Sequence, residues 1–403
     1  MEKPSAAPSP KRLDIAIVTL YYPPLLGGLE SYLERLAEAV GRRARVAVLA
    51  PRVEGCALYD RERPTEVLRR RMFAPPIFRN DRLFLPLSPF IAAAAFFWTL
   101  VALGRRRPML ICSGSADFAL PIALAARLLG ARFAFICHGK DGHVRPGVLP
   151  RLLKRLPMNG AMRLARAVFA NSRFTATLLD PAGRFADKIR ILPTPIEPIR
   201  SPPTESELAR ARAAIWGDAA LGPLVLSVGR LREHKGFQHA IAAFAGIARD
   251  FPDARYAIVG EGSFESELRN EARRLGVADR VVFAGMHRPA DPFYALATIF
   301  VTVTWPAPGE PEGFGMVFLE AARFGVPSIA GNIGGMVEAV IDGETGLTVE
   351  PADPSAIASA MRRLLSDAAL RERLGAAARD RAAEFAPDRV AEIFMKASAD
   401  SAD

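Results

Sequence analysis

Short apolar runs recur along the chain and alternate with longer stretches in which apolar positions return every three or four residues. Runs of the first kind read as buried strands and stretches of the second as amphipathic helices. In the first half the strand pattern covers 13–19, 44–50, 109–113, 132–137, 167–171 and 189–192, with helices predicted between them at 29–41, 117–129, 151–165 and 172–179. The second half repeats the scheme, with strands at 225–228, 256–259, 281–284, 299–303, 326–330 and 347–349. Alternating βα units of this length predict parallel sheets covered by helices on both faces. The expected fold class is therefore α/β, with two Rossmann-like domains facing a central cleft and ligands at the carboxyl ends of the strands.

Between the halves, Pro193, Pro195, Pro198, Pro202 and Pro203 form a stiff linker. The expected organisation is a disordered tail at 1–12, an amino-terminal domain at 13–198 and a carboxyl-terminal domain at 199–375. The helical segment 376–403 has no strand left to cover and is expected to pack back toward the amino-terminal domain.

Composition narrows the function classes. The 403 residues suffice for two cores, and three cysteines (Cys56, Cys112, Cys137) argue against a disulfide framework. Charge is divided: residues 1–199 hold 31 Lys+Arg against 15 Asp+Glu, whereas 200–403 hold 22 against 28. A basic first half suits an anionic membrane surface or an acidic acceptor. Nucleic acid ranks last, because no recognition motif accompanies the charge and aromatics are sparse. The apolar run from Phe90 to Leu103 is shorter than the ~20 residues a span needs, so it reads as a buried helix, with a membrane-dipping helix as the alternative. The segment Arg151-Leu152-Leu153-Lys154-Arg155 could ride an anionic leaflet or form a solvated helix face. The expected location is cytoplasmic, with peripheral contact to the inner membrane face as an option.

The densest chemistry lies in Glu312-Gly313-Phe314-Gly315-Met316-Val317-Phe318-Leu319-Glu320. It follows the strand 299–303 and a Pro- and Gly-broken loop, so a helix is predicted to begin near Gly315. Unsatisfied N–H groups at such a start suit a diphosphate. Glu320, just over a turn inside, could accept from ribose hydroxyls, and Glu312 could meet a sugar beyond the phosphates. A surface loop with an exposed helical glutamate is the other reading. After the strand 225–228, Arg230 and Lys235 stand on the loop leading to Phe237, where two cations could neutralise a leaving nucleoside diphosphate. His138 ends the strand 132–137 and reads either as a contact to a sugar hydroxyl or acceptor, or as a structural histidine. Gly27-Gly28 permits close approach of an acceptor or phosphate to a helix start, and Gly334-Gly335 either lines a donor pocket or simply turns into a helix. Val259-Gly260-Glu261-Gly262 begins like a dinucleotide fingerprint but lacks the third glycine. No Asp-x-Asp pair occurs, and the five histidines show no metal-ligand spacing.

Taken together, these motifs resemble glycosyltransferase family 4, retaining enzymes of the GT-B fold. The resemblance runs from about residue 13 to 397 and rests on Glu312…Glu320, Val228-Gly229-Arg230-Leu231…Lys235-Gly236, Gly334-Gly335-Met336-Val337-Glu338, Gly27-Gly28-Leu29-Glu30 and His138-Gly139. It implies a hexosyltransferase whose donor is a nucleotide-diphosphate sugar, with no cofactor and no metal required. It further implies that Arg230 and Lys235 hold the diphosphate, Glu320 the ribose, Glu312 the sugar hydroxyls, and His138 the donor sugar. Gly313, Phe314, Gly315, Met316, Gly334 and Gly335 complete the donor site, and the amino-terminal domain takes a saccharide or lipid-linked acceptor. Thr194-Pro195 stands where the family often has Asn-Gly, and Phe385-Ala386-Pro387-Asp388 replaces an aromatic near the crossing helix. A non-catalytic sugar-nucleotide-binding subunit and a nucleotide-dependent oxidoreductase are the competing classes.

Overall fold

The computed structural model describes residues 13–25, 27–71, 81–139, 148–199, 201–305 and 312–399, with side chains at 81–89 and 148–154 excepted. The tail 1–12 and the side chains of 151–154 lie outside the described residues. The chain divides into two compact units. One comprises 1–171, 175–195 and 387–403, and the other 172–174 and 196–386. The segment 376–403 is thus shared. Helix Ala368–Ala383 packs on helix Met316–Arg323 in the second unit, and helix Pro387–Ala399 packs on helix Gly28–Gly41 in the first.

The first unit is a seven-stranded parallel sheet in the order β3-β2-β1-β4-β5-β6-β7. Its strands are β1 (Ile15–Val18), β2 (Val46–Pro51), β3 (Glu66–Arg70), β4 (Leu110–Ser113), β5 (Arg132–Cys137), β6 (Ala167–Ala170) and β7 (Ile189–Ile191). β1, β2, β4 and β6 are buried throughout, as expected of strands covered on both faces. The edge strand β3 is not foreseen by the apolar pattern, because its Glu-Val-Leu-Arg-Arg sequence is only partly buried. Helix Asp81–Leu103 turns Ile91, Ala95, Thr99 and Leu103 inward and leaves Phe90, Phe97 and Val101 exposed, so it is half buried rather than buried. Among the described residues no helix is long and apolar enough to cross a membrane.

The second unit is a six-stranded parallel sheet in the order β10-β9-β8-β11-β12-β13. These strands are β8 (Leu224–Val228), β9 (Arg255–Val259), β10 (Val281–Gly285), β11 (Ile299–Thr302), β12 (Ser328–Gly331) and β13 (Gly346–Val349). Its helices start on side-chain caps where the sequence offers them. Thr204 and Glu207 form a reciprocal capping box before Glu205–Trp216, and Asp353 caps Pro354–Ser366. One face of the sheet packs Phe244, Tyr256 and Met361, and the other packs Phe300, Phe318 and Tyr294.

Candidate functional site

In the second sheet the strand order reverses between β8 and β11, which lie side by side. The crevice outside the carboxyl ends at such a reversal is where open α/β sheets bind ligands. Both loops that carry the charged motifs leave from here: β8 runs into Gly229–Gly236, and β11 leads to the segment that resumes at Glu312.

The loop after β8 is fixed by backbone contact with the loop after β9. Gly229 N–H donates to Val259 O at 2.9 Å and Leu231 N–H to Glu261 O at 3.0 Å. A Cβ on Gly260 would lie 1.9 Å from Gly229 O, and one on Gly262 would lie 2.1 Å from Leu231 O. The two glycines that resemble the start of a dinucleotide fingerprint therefore serve a different end: they let this backbone seat the loop bearing Arg230. A single 3-10 turn, Glu233–Lys235, closes on Gly236 at φ +73°, where a Cβ would lie 2.2 Å from Val303 O. Trp305 holds the turn from the other side, its N–H donating to His234 O and its Nε1–H to Glu233 O at 3.0 and 3.1 Å. The outcome is a rigid platform that delivers the Lys235 ammonium onto Glu312 Oε2. Arg230, on the same loop, is exposed.

Glu312 is positioned by the same kind of close approach. Its carbonyl accepts from Gly335 N–H at 3.0 Å. A Cβ on Gly335 would lie 1.9 Å from Gly313 O, and Gly334, at φ +61°, would place one 2.9 Å from Glu312 O. The Gly334-Gly335 pair is thus both a turn into helix Met336–Ala339 and the seat of the 312–313 backbone. Gly313, Phe314 and Gly315 are buried, and Phe314 packs on Phe385 with ring centroids 5.5 Å apart. Gly315, at φ +89°, caps helix Met316–Arg323, with the Phe318 ring folded beneath it. One turn in, Glu320 Oε2 accepts from the Tyr294 hydroxyl at 3.2 Å. Burial raises the Tyr294 pKa and the Glu320 charge adds to it, so the phenol stays a donor.

Lys235 and Glu312 keep 21% and 20% of their side-chain surface. Partial burial strengthens their attraction without sealing it, so an incoming anion and a hydroxylated ligand can each take one partner. Arg230, Lys235 and the N–H groups at the start of helix Met316–Arg323 supply positive potential, while Glu312 and Glu320 supply hydroxyl acceptors. Sequence reasoning missed Tyr294, in a short helix, and Trp305, in a loop, because neither position carries a pattern that marks its partner.

In the first unit, His138 follows β5 and is partly buried. The Tyr32 ring meets it edge-on, with centroids 4.8 Å apart, and the imidazole donates to the Gly114 carbonyl. Burial lowers its pKa to about 4, so the imidazole is neutral near pH 7 and acts as a hydrogen-bonding group, not a cation. Gly27 precedes helix Gly28–Gly41 in an extended conformation, φ 173°. A Cβ there would lie 2.1 Å from Glu30 Oε2. The Glu30 carboxylate thus folds over the helix start and already supplies the anion that such a terminus favours.

Two family models match the chain: "Glycosyltransferase Family 4" over residues 26–200 and "Glycosyl transferases group 1" over 217–381. A GDP-mannose-dependent alpha-(1-6)-phosphatidylinositol monomannoside mannosyltransferase of Mycolicibacterium smegmatis is 31% identical over 367 residues, 89% of this chain and 91% of that protein. Its counterpart in Mycobacterium tuberculosis is 31% identical over 370 residues, 88% and 89% of the two chains. Among solved structures, HepE of Anabaena with UDP and glucose superposes at a TM-score of 0.72 and 20% identity, covering 96% of this chain and 99% of that one. Sucrose-phosphate synthase of Thermosynechococcus elongatus does so at 0.74 and 22%, covering 96% and 98%.

Proposed function

The chain belongs to the family 4 glycosyltransferases, retaining hexosyltransferases of the GT-B fold, and from that premise we propose that it transfers mannose from GDP-mannose to a lipid-linked acceptor. The whole-length mycobacterial relatives, named for this donor and for a phosphatidylinositol mannoside, support the choice, as does the basic first half. The observation that carries the reading is the Lys235–Glu312 pair, a cation and a carboxylate held in contact at the switch point.

In this reading Arg230 and Lys235 bind the donor diphosphate, with the N–H groups at the start of helix Met316–Arg323 completing the cradle. Glu312, released from Lys235, accepts hydroxyls of the sugar, and Glu320, oriented by Tyr294, accepts those of the ribose. Gly334 and Gly335 keep Glu312 in place, and neutral His138 hydrogen-bonds the sugar. The bond from the anomeric carbon to the β-phosphate oxygen breaks as the acceptor oxygen attacks on the same face. The acceptor's proton passes to the departing phosphate oxygen, so configuration is retained. Charge growing on the leaving diphosphate is met by fixed cations and amide dipoles, which need no metal to balance it.

The test is release of nucleoside diphosphate on mixing the protein with phosphatidylinositol monomannoside and either GDP-mannose or UDP-glucose. Acceptor-dependent GDP release supports the proposal. Release from UDP-glucose alone rejects the donor, and release from neither rejects the proposed pairing.

A further inference from the structure

A strongly charged concavity of the first unit lies at the amino ends of the sheet strands, away from His138. β5 carries Arg132 at its amino end and leads to His138 at its carboxyl end, so the two are roughly 20 Å apart along the strand. Around Arg132 the surface opens into a cavity of about 590 Å³ lined by Arg127, Arg132, Arg166, Lys188 and Arg190, with Asp187 as the one lining carboxylate. That volume is within the ordinary range of small-molecule sites.

The five cations divide by what holds them. Lys188 Nζ donates to the carbonyls of Met162, Arg163 and Ala165 at 3.2, 2.9 and 3.0 Å, closing the end of helix Val148–Leu164. Arg166 donates to Ala399 O, at the end of helix Pro387–Ala399, at 3.4 Å. Both are structural, and the carbonyls that hold Lys188 leave its charge in place. Arg190 donates to the carbonyls of Asp187 and Ile189 at 2.6 and 3.0 Å. Among the described residues no ion pair involves Arg127, Arg132 or Arg190. Of the four charges on Arg127, Arg132, Lys188 and Arg190, Asp187 offsets one, and the carboxyl ends of helices Ala119–Leu128 and Val148–Leu164 offset about half a charge each. Roughly two positive charges remain in a concave site, where low-dielectric walls focus the field.

We propose that this cavity is a second binding site, for a phosphate-bearing ligand. The charge suits a di- or polyanion, and Arg127, Arg132 and Arg190 present guanidinium forks that match phosphate oxygens better than ammonium groups would. Phe133, Leu164 and five alanines line the rest and give an apolar wall for an uncharged moiety beside the phosphate. The inference is independent of the transferase chemistry, since it uses neither the residues nor the strand ends of that site.

Hydrogen–deuterium exchange of the full chain tests it, with inorganic pyrophosphate as the free anion and phosphatidylglycerol/phosphatidylcholine vesicles as the headgroup source. Expected is protection of 127–132 and 187–190. In the Arg132→Gln/Arg190→Gln variant that protection should need at least a tenfold higher ligand concentration, while GDP affinity stays within twofold. Protection by pyrophosphate identifies a soluble ligand, and protection by anionic vesicles alone identifies a headgroup. No protection by either, or protection unchanged in the variant, overturns the proposal. The substituted arginines are exposed, and a circular-dichroism melt confirms that the variant folds.

Discussion

Gly335→Ala isolates the contact on which the site geometry depends. Gly335 has φ −77° and ψ −5°, angles that alanine adopts without strain, so the substitution adds a methyl group and nothing else. That methyl would lie 1.9 Å from Gly313 O, 2.4 Å from Gly313 C and 2.9 Å from Phe314 Cα. All three are backbone atoms, and none can rotate away. Reaching ordinary contact at 3.4 Å requires a displacement of about 1.5 Å, shared between the turn and the 312–314 segment. The Gly335 N–H to Glu312 O bond lengthens with it. Overpacking of this kind costs about 1–3 kcal/mol of stability. Its effect on turnover should be larger, because a shift of about 1 Å in a positioned group costs roughly 100-fold. The assay is kcat/KM for transfer, alongside a thermal melt. Gly246→Ala is the control: Gly246 is an exposed position in helix Phe237–Ile247, and its Cβ would meet only Ala358 Cβ at 3.7 Å. It should raise stability by about 0.5–1 kcal/mol and leave kcat/KM unchanged. If Gly335→Ala keeps kcat/KM within twofold, the argument that glycine-only packing positions Glu312 is wrong.

Three further outcomes follow. Lys235→Met removes a charge-assisted contact worth about 1.5–3 kcal/mol, so GDP affinity by isothermal titration should fall roughly 10- to 100-fold; an unchanged affinity would remove Lys235 from the diphosphate site. Tyr294→Phe deletes only the hydroxyl that orients Glu320, and should raise the donor KM by no more than about tenfold with kcat intact; a fall in kcat instead would point to a role in the chemical step. His138 has a folded pKa of about 4 against an ordinary 6.5, so below pH 6.5 the unfolded state takes up a proton that the folded state refuses. Its contribution to stability is fully present above pH 6.5 and is lost as pH falls toward 4. The loss is at most on the order of 3 kcal/mol. Denaturant titrations at pH 7 and 4.5 should therefore show a steeper loss in the wild type than in His138→Gln, and equal slopes would refute the buried, neutral imidazole.

The strands with continuous apolar runs were legible in the sequence because burial on both faces leaves no alternative to Val, Ile, Leu, Ala and Phe. β3 was not, since an edge strand half in solvent tolerates Glu66, Arg69 and Arg70. Charged positions of the site were legible by type, because Arg230, Lys235, Glu312 and Glu320 lie where strands end and helices begin. What links them was not. The spacing of Gly334-Gly335 from Glu312 says nothing of the 1.9 Å approach that excludes a side chain, and Gly260 and Gly262 suggest a nucleotide turn until their contact with Gly229 and Leu231 is seen. Tyr294 hides for another reason: a buried aromatic in a short helix has the same pattern whether or not its hydroxyl meets a carboxylate.

The central claim, that Glu312 acts on the sugar while Lys235 acts on the phosphates, is tested most directly by Glu312→Gln, with GDP titration and single-turnover transfer measured on the same preparation. Neutralising Glu312 frees Lys235 from its partner, so the account predicts GDP affinity equal to or tighter than wild type, with transfer slowed about 100-fold or more. Transfer at the wild-type rate, or GDP binding lost together with transfer, would contradict it.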